Sequence, residues 1–304
     1  MNSTPFVFVG ISLCASIGAS AQVLFDNGPL VTIPTGSCLP MGSAASEVQP
    51  QNSNVGYNQL RSFPYHIADD FVIVDPGGWS VTSMTHYGYQ TNAMLPTISS
   101  VSVAIWRGRP GDAGSVIVFG DLTTNRLVPG SVAFTNIYRH FNSTCATSRV
   151  IQRGTVSLGA SLDAGEYWLE WTASGTSTLS GPWAPNVTIT GLRGKPGANA
   201  RQLVGATWTD IVEGTPGTTP PLIPQDMVFA LVGVIRIPLP SCYQNCDAST
   251  TPPVLNVNDF VCFNNLFASG DSRANCDAST KPPVLNINDF LCFTNLYASG
   301  CSAP

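Results

Sequence analysis

The stretch "ISSVSVAIWRGRPGDAGSVIVFG", Ile98 to Gly120, decides the fold. Val101, Val103 and Ile105 alternate with Ser102 and Ala104, so an extended chain here puts its branched apolar side chains on one face. A Gly- and Pro-rich turn follows, and β-formers resume at Val116. The same grammar runs from residue 22 to 239 through "DDFVIV", "WSVTSMTHYGY", "GTVSLG", "GEYWLEW", "NVTIT", "ATWTDIV" and "MVFALVGVIRI". Short strands at this spacing predict a mainly β fold, a jelly-roll-like antiparallel β-sandwich. Composition points the same way: only 10% of residues are charged, and 28 Gly and 24 Pro punctuate the chain. No helical period of useful length occurs before residue 250.

Charge excludes one class of partner. The net charge is -5 and the only lysines are Lys195 and Lys281, so there is no basic footprint for nucleic acid. At the front, the apolar run Phe6 to Ile17 leads to Ala19-Ser20-Ala21, the small-x-small pattern of a cleavage site, which predicts a signal peptide over 1–21 and export. The positive residue usual before such a run is missing from "MNSTP". Elsewhere the run Met227 to Ile235 is far short of the ~20 residues that span a bilayer, so it reads as a buried strand and no transmembrane anchor is expected. Of nine cysteines, removal of Cys14 with the signal leaves an even number in an exported chain, which argues for disulfides. There is no C-x-x-C pair and no His near the C-terminal group to suggest zinc.

At "PLPSCYQ", Pro238 to Gln244, strand patterning stops, and the boundary between a domain over 22–239 and a second over 240–304 falls there. Beyond it the chain writes one segment twice. "NCDASTTPPVLNVNDFVCFNNLFASG" starts at Asn245 and "NCDASTKPPVLNINDFLCFTNLYASG" at Asn275, thirty residues later. Phe260, Phe263 and Phe267, and then Phe290, Phe293 and Tyr297, recur at i, i+3 and i+7, one face of a helix. Ahead of each helix stand oxygen-bearing side chains at alternating positions: Asn245, Asp247, Ser249, Asn256 and Asp259, and their counterparts Asn275, Asp277, Ser279, Asn286 and Asp289. Calcium takes six to eight oxygen ligands from loops patterned in this EF-hand-like way. The plainer reading makes the same residues turn-formers and helix caps, which Asn and Asp favour for local reasons.

Residues 242 to 304, with the duplicated loop-helix and the closing "ASGC", resemble the dockerin-like tandem repeats at the C-termini of exported bacterial proteins, in their cysteine-containing form. The resemblance implies a small α-helical module that docks on a cohesin-like or envelope protein and holds its owner at the cell surface. It also implies calcium on the ten residues just named. Each loop departs from the usual pattern in opening with Asn and in carrying "TTPPV" or "TKPPV" where a Gly turn belongs. Two carboxylates per loop make any calcium site weak. The preferred disulfides are Cys246–Cys262, Cys276–Cys292 and Cys242–Cys301. A swapped set, Cys246–Cys292 with Cys262–Cys276, obeys the same symmetry. Cys38 and Cys145 would bridge within the sandwich.

The sandwich also resembles, loosely, exported bacterial proteins with sorting tails, through "ADDFVIVDPGGWSV" and "AGEYWLEW". No reaction is legible in it. Glu166 and Glu170 share a strand face, but four residues of strand separate them by roughly 13 Å, beyond the ~5 to 9.5 Å that glycoside hydrolysis uses. Asp69 and Asp70 read as a strand-start turn. His66, His86 and His140 are isolated in sequence, and neither H-E-x-x-H nor G-x-S-x-G occurs. The expectation is therefore a non-enzymatic exported protein whose tail attaches a β-sandwich of unknown ligand. The alternatives are a carbohydrate-binding module, with Trp168 and Trp183 as candidate platform rings for a polysaccharide, or an extracellular hydrolase.

Overall fold

In the computed structural model, residues 21–35, 39–141, 145–214, 221–236, 242–249 and 253–301 are described. The chain divides at Val234 and Ile235 into two compact units, the second also taking in Val74–Gly78. The strands in chain order are β1 (Gln22–Asp26), β2 (Ala44–Val48), β3 (Tyr57–Asn58), β4 (Tyr65–Ile73), β5 (Trp79–Gly88), β6 (Ser100–Arg107), β7 (Val116–Asp121), β8 (Ala133–Phe141), β9 (Val150–Leu162), β10 (Gly165–Ser174), β11 (Trp183–Ala184), β12 (Arg201–Val204), β13 (Thr207–Asp210), β14 (Val212–Glu213), β15 (Ile223–Pro224) and β16 (Phe229–Ile235).

Two six-stranded sheets form, β1-β16-β5-β9-β8-β2 and β13-β12-β4-β10-β6-β7. The alternation that sequence made visible sets which side chains face inward. Val101, Val103 and Ile105 of β6 are buried together with Tyr167, Leu169 and Trp171 of β10, in the register Leu169 to Ile105 and Trp171 to Val103. The opposite sheet answers with Trp79, Met84, Val156 and Phe229. Rings join the layers, Phe71 stacking on Trp79 with centroids 6.3 Å apart and Trp171 tilting against Phe229 at 5.7 Å. β4 to β5 and β9 to β10 each step from one sheet to the other, and the steps pair with each other, β4 with β10 and β5 with β9. That rolled antiparallel sandwich is the expected fold.

Some local expectations are corrected. The strand expected in "NVTIT" reduces to isolated bridges, Asn186 to Met227 and Ile189 to Leu192. One edge pair, β2 with β8, is parallel, and it buries Arg139. Arg139 is tolerated because its nitrogens reach the Val55 carbonyl (2.8 Å), the Ser46 hydroxyl (2.9 Å) and the Asn186 side-chain oxygen. Burial brings its pKa down to about 10. Asp69 and Asp70 do not start a strand; they lie inside β4. Asp69 is fully buried, and Oδ2 accepts the Met227 N–H (2.6 Å) and the Asn27 side-chain N–H (2.7 Å), which ties β4 to the chain entering β16. Desolvation, and next the charge of Asp226, hold the Asp69 carboxyl well above the usual carboxylate range.

The second unit is helical: α1 (Val257–Ala268), a 3-10 turn at Ser272–Ala274, and α2 (Ile287–Ser299). Both helices open with a capping box. Asn256 and Asn286 cap, while Asp259 and Asp289 reach back to the capping residue's own N–H. The ring contacts repeat under the thirty-residue shift. Phe260 meets Phe293 edge-on at 5.2 Å and Phe290 meets Phe263 at 5.2 Å; Phe260 lies 4.4 Å from Tyr297 and Phe290 4.4 Å from Phe267. Phe263 and Phe293 stack on each other at 4.2 Å, at the centre of this pseudo-two-fold arrangement.

The disulfides of this unit are Cys246–Cys262, Cys276–Cys292 and Cys242–Cys301, the preferred set rather than the swapped one. The expected Cys38–Cys145 bridge involves Cys38, outside the described residues. The clasp at the ends has a simple logic. Shifted by thirty residues, Cys301 falls on Asp271 and Cys242 on Ser272, which are consecutive. A peptide bond joins the two copies at one junction, and the Cys242–Cys301 disulfide closes the other.

Candidate functional site: the paired loops and the outer helix faces

Each loop folds around its own polar side chains. In the second, described throughout, Ser279 N–H donates to Asn275 Oδ1 (3.0 Å) and to Asp277 Oδ1 (2.9 Å), and the Asn275 amide donates to the Ser279 carbonyl (2.9 Å). Asp289, fully buried, takes the Asp277 N–H on Oδ1 (3.3 Å) and the Asn286 N–H on Oδ2 (2.8 Å). The first loop repeats this: Asp259 accepts from Asp247 N–H (3.3 Å) and Asn256 N–H (2.8 Å), and Ser249 N–H donates to Asp247 Oδ1 (2.9 Å). Ala248 and Ala278 take left-handed backbone, with φ of 56° and 54°, to make these turns.

Thus Asn245, Asp247, Ser249 and Asp259 are brought together, as are Asn275, Asp277, Ser279 and Asp289. Asn256 and Asn286 stand at the helix caps, each side-chain oxygen accepting a helix N–H, from Asn258 or Asn288 at 2.9 Å. Among the described residues no group of three or more His, Cys, Asp and Glu is placed to hold a metal ion, and each loop brings only two carboxylates. In the structure these oxygens complete a set of turns and helix caps.

Beside the ring face, each helix also carries exposed apolar residues. Val257 is 70% exposed and Val261 53%, one turn apart on α1; their counterparts on α2, Ile287 and Leu291, are 68% and 56% exposed. Periodicity in the sequence marks the Phe face, and these smaller apolar residues, roughly 100° round the helix from it, escape notice beside it. Val261 and Leu291 directly precede the stapled Cys262 and Cys292.

In the sandwich, Glu170 is 2% exposed, accepting from His66 Nδ1 (2.7 Å) and Trp106 Nε1 (2.7 Å), whereas Glu166 is exposed at the start of β10. His66, isolated in sequence, is brought to Glu170 by the β4–β10 pairing. Trp168 is 8% exposed beneath the Arg109 guanidinium, 5.5 Å from its ring, and Trp183 packs partly buried against Tyr89 and its neighbours. These two indoles therefore make no exposed coplanar platform. His86 is fully buried; its Nε2–H donates to Gln59 Oε1 (2.9 Å), which also takes Trp171 Nε1–H, and desolvation lowers its pKa to about 3.

No protein-family model matches the chain, and no curated protein matches it at a significant level. Three disulfides fit an oxidising, extracellular setting. No helix among the described residues is long and apolar enough to cross a membrane.

Proposed function

We propose that residues 242–301 form a dockerin-like attachment module, carrying the sandwich to a cohesin-like or envelope protein at the cell surface. The observation that supports this is the symmetric pair of exposed apolar patches, Val257 with Val261 and Ile287 with Leu291. Contiguous apolar side chains left in water on a small cross-linked scaffold are typical of contact surfaces. Rigidity favours docking, because a stapled module loses little further freedom when it binds. In this reading calcium is an auxiliary staple, held by Asn245, Asp247, Ser249 and Asp259 and by Asn275, Asp277, Ser279 and Asp289. It would neutralise the two carboxylates of each loop.

The test uses the whole exported chain. Val261→Asp with Leu291→Asp changes both patches while leaving the ring stack alone. Retention on envelopes of the producing cells is expected to fall about tenfold or more, the usual consequence of charging the centre of an apolar contact. Equal retention of the double variant, with its melting unchanged, would overturn the attachment reading.

A further inference from the structure

A cavity of about 310 Å³ opens at the end of the first sheet where β5 finishes and β9 begins, and no part of the attachment reading uses it. Its wall is built from the chain before β3 (Ser53 to Gly56), from Tyr89 and Thr91 after β5, from Arg149 before β9, and from Ser180 and Trp183. Two features set it apart from an ordinary surface hollow.

The first is Arg149. Its backbone carbonyl accepts from Arg139 N–H (2.9 Å), but its guanidinium has neither hydrogen bond nor ion pair among the described residues. Glu213, whose carboxylate holds the Ser53–Tyr57 segment, is engaged elsewhere. It is fully buried and accepts from Ser53 N–H (2.9 Å), Asn54 N–H (2.9 Å) and the Tyr57 hydroxyl (3.5 Å). Arg149 is thus an uncompensated cation in a chain whose net charge is negative.

The second is Tyr89, fully buried, whose hydroxyl has no hydrogen-bond partner among the described residues. Buried hydroxyls are normally paired, so this orphan beside the cavity lacks the partner such a group usually has. Room is left for it by Gly56, where a Cβ would stand 2.8 Å from the Tyr89 oxygen and 3.0 Å from the Ala184 carbonyl. The remaining lining is Trp183 with Ser53, Asn54, Val55, Thr91 and Ser180.

We propose that this cavity binds one acidic sugar unit, a uronic-acid residue, with its carboxylate on Arg149 and its ring between Trp183 and the hydroxyl-bearing wall. A single guanidinium fork matches a carboxylate in two parallel hydrogen bonds. The volume lies at the small end of ligand pockets, room for one ring rather than two. The indole offers an apolar face to the ring's C–H groups, and the polar wall offers partners to its hydroxyls.

Titration calorimetry of the full chain with glucuronate, glucose and acetate separates the parts of this claim. Saturable glucuronate binding is expected, at least tenfold tighter than glucose and than acetate, since a charge-assisted pair and a stacked ring each contribute about that factor. Arg149→Gln should abolish the preference for glucuronate over glucose. Gly56→Ala, which drives a methyl against the Tyr89 hydroxyl, should weaken glucuronate severalfold, and Arg149→Gln should melt with the parent chain. Equal binding of glucose would overturn the role of Arg149, equal binding of acetate would overturn the sugar, and no heat with any of the three would overturn the site.

Discussion

The two units solve the same problem by opposite means. The sandwich buries aromatic and branched residues from both sheets, among them Phe71, Trp79, Ile105, Trp171 and Phe229. In the C-terminal unit the fully enclosed apolar residues are Phe263, Ala274 and Phe293, and three disulfides accompany them. A unit of about 60 residues buries too small a share of its surface to stand on apolar contacts alone. Cross-links take over the part that the larger unit obtains from area. The small unit also leaves apolar residues outside: its seven aromatic rings converge on one seam, and Val257, Val261, Ile287 and Leu291 lie off it, more than half exposed.

Reduction should break the comparison most visibly. Closing a loop of 59 residues contributes about 4 kcal/mol, and each 16-residue loop about 3 kcal/mol, by their effect on unfolded-chain entropy. Calorimetry with and without reductant should show the helical unit's transition disappear while a transition belonging to the sandwich persists. Survival of both would mean that the ring stack suffices without cross-links.

Matched truncations come next. Phe71→Ala in the sandwich and Phe263→Ala in the helical unit should each cost about 3 to 5 kcal/mol, the range for large-to-small changes in packed cores. Only the second should leave a cross-linked, loosened module, readable as loss of near-ultraviolet dichroism with the sandwich transition in place.

Acid should act on the sandwich through His86. Its folded pKa, near 3, lies below the ordinary value of 6.5, so the unfolded chain binds the extra proton between those limits. Stability from this group is full above pH 6.5 and falls as pH drops toward 3, by up to about 1.4 kcal/mol per pH unit. Asp69, with its raised pKa, works in the other direction, adding stability as pH falls through its folded value. Urea unfolding from pH 7 to 4 should therefore show a flatter acid limb in His86→Leu than in the parent chain. Parallel limbs would remove His86 from the account.

The smallest effects probe the symmetry. Asn256→Ala and Asn286→Ala should each cost about 1 kcal/mol, as cap losses do, and by nearly equal amounts. Calcium at millimolar concentration should raise the helical unit's melting by a few degrees at most, since the disulfides already restrict the unfolded chain and each loop brings only two carboxylates. A large rise would make the cation, rather than the cysteines, the main staple.

Much of this was legible beforehand for a local reason. Alternation at Val101, Val103 and Ile105 and the i, i+3, i+7 rings report which side of an element meets the apolar core, and both hold in the structure, although Ser102 and Ala104 are buried as well. The disulfide choice was not local. Two pairings satisfied the thirty-residue repeat, and only the packed helices bring Cys246 beside Cys262, with Cα atoms 5.7 Å apart. Asp69 misled for a similar reason: a pair of aspartates resembles a turn until the chain some 158 residues away supplies the Met227 N–H that its carboxylate accepts.

By itself, then, the sequence determined the β-rich and helical parts and the doubled loop, because periodicity and turn chemistry act between near neighbours. Tertiary structure alone decided that Glu170 meets His66 and Trp106, that Trp168 lies under Arg109, and that Arg149 and Tyr89 face one cavity. Those meetings depend on sheet register and loop closure, which bring together residues that no short window of sequence contains.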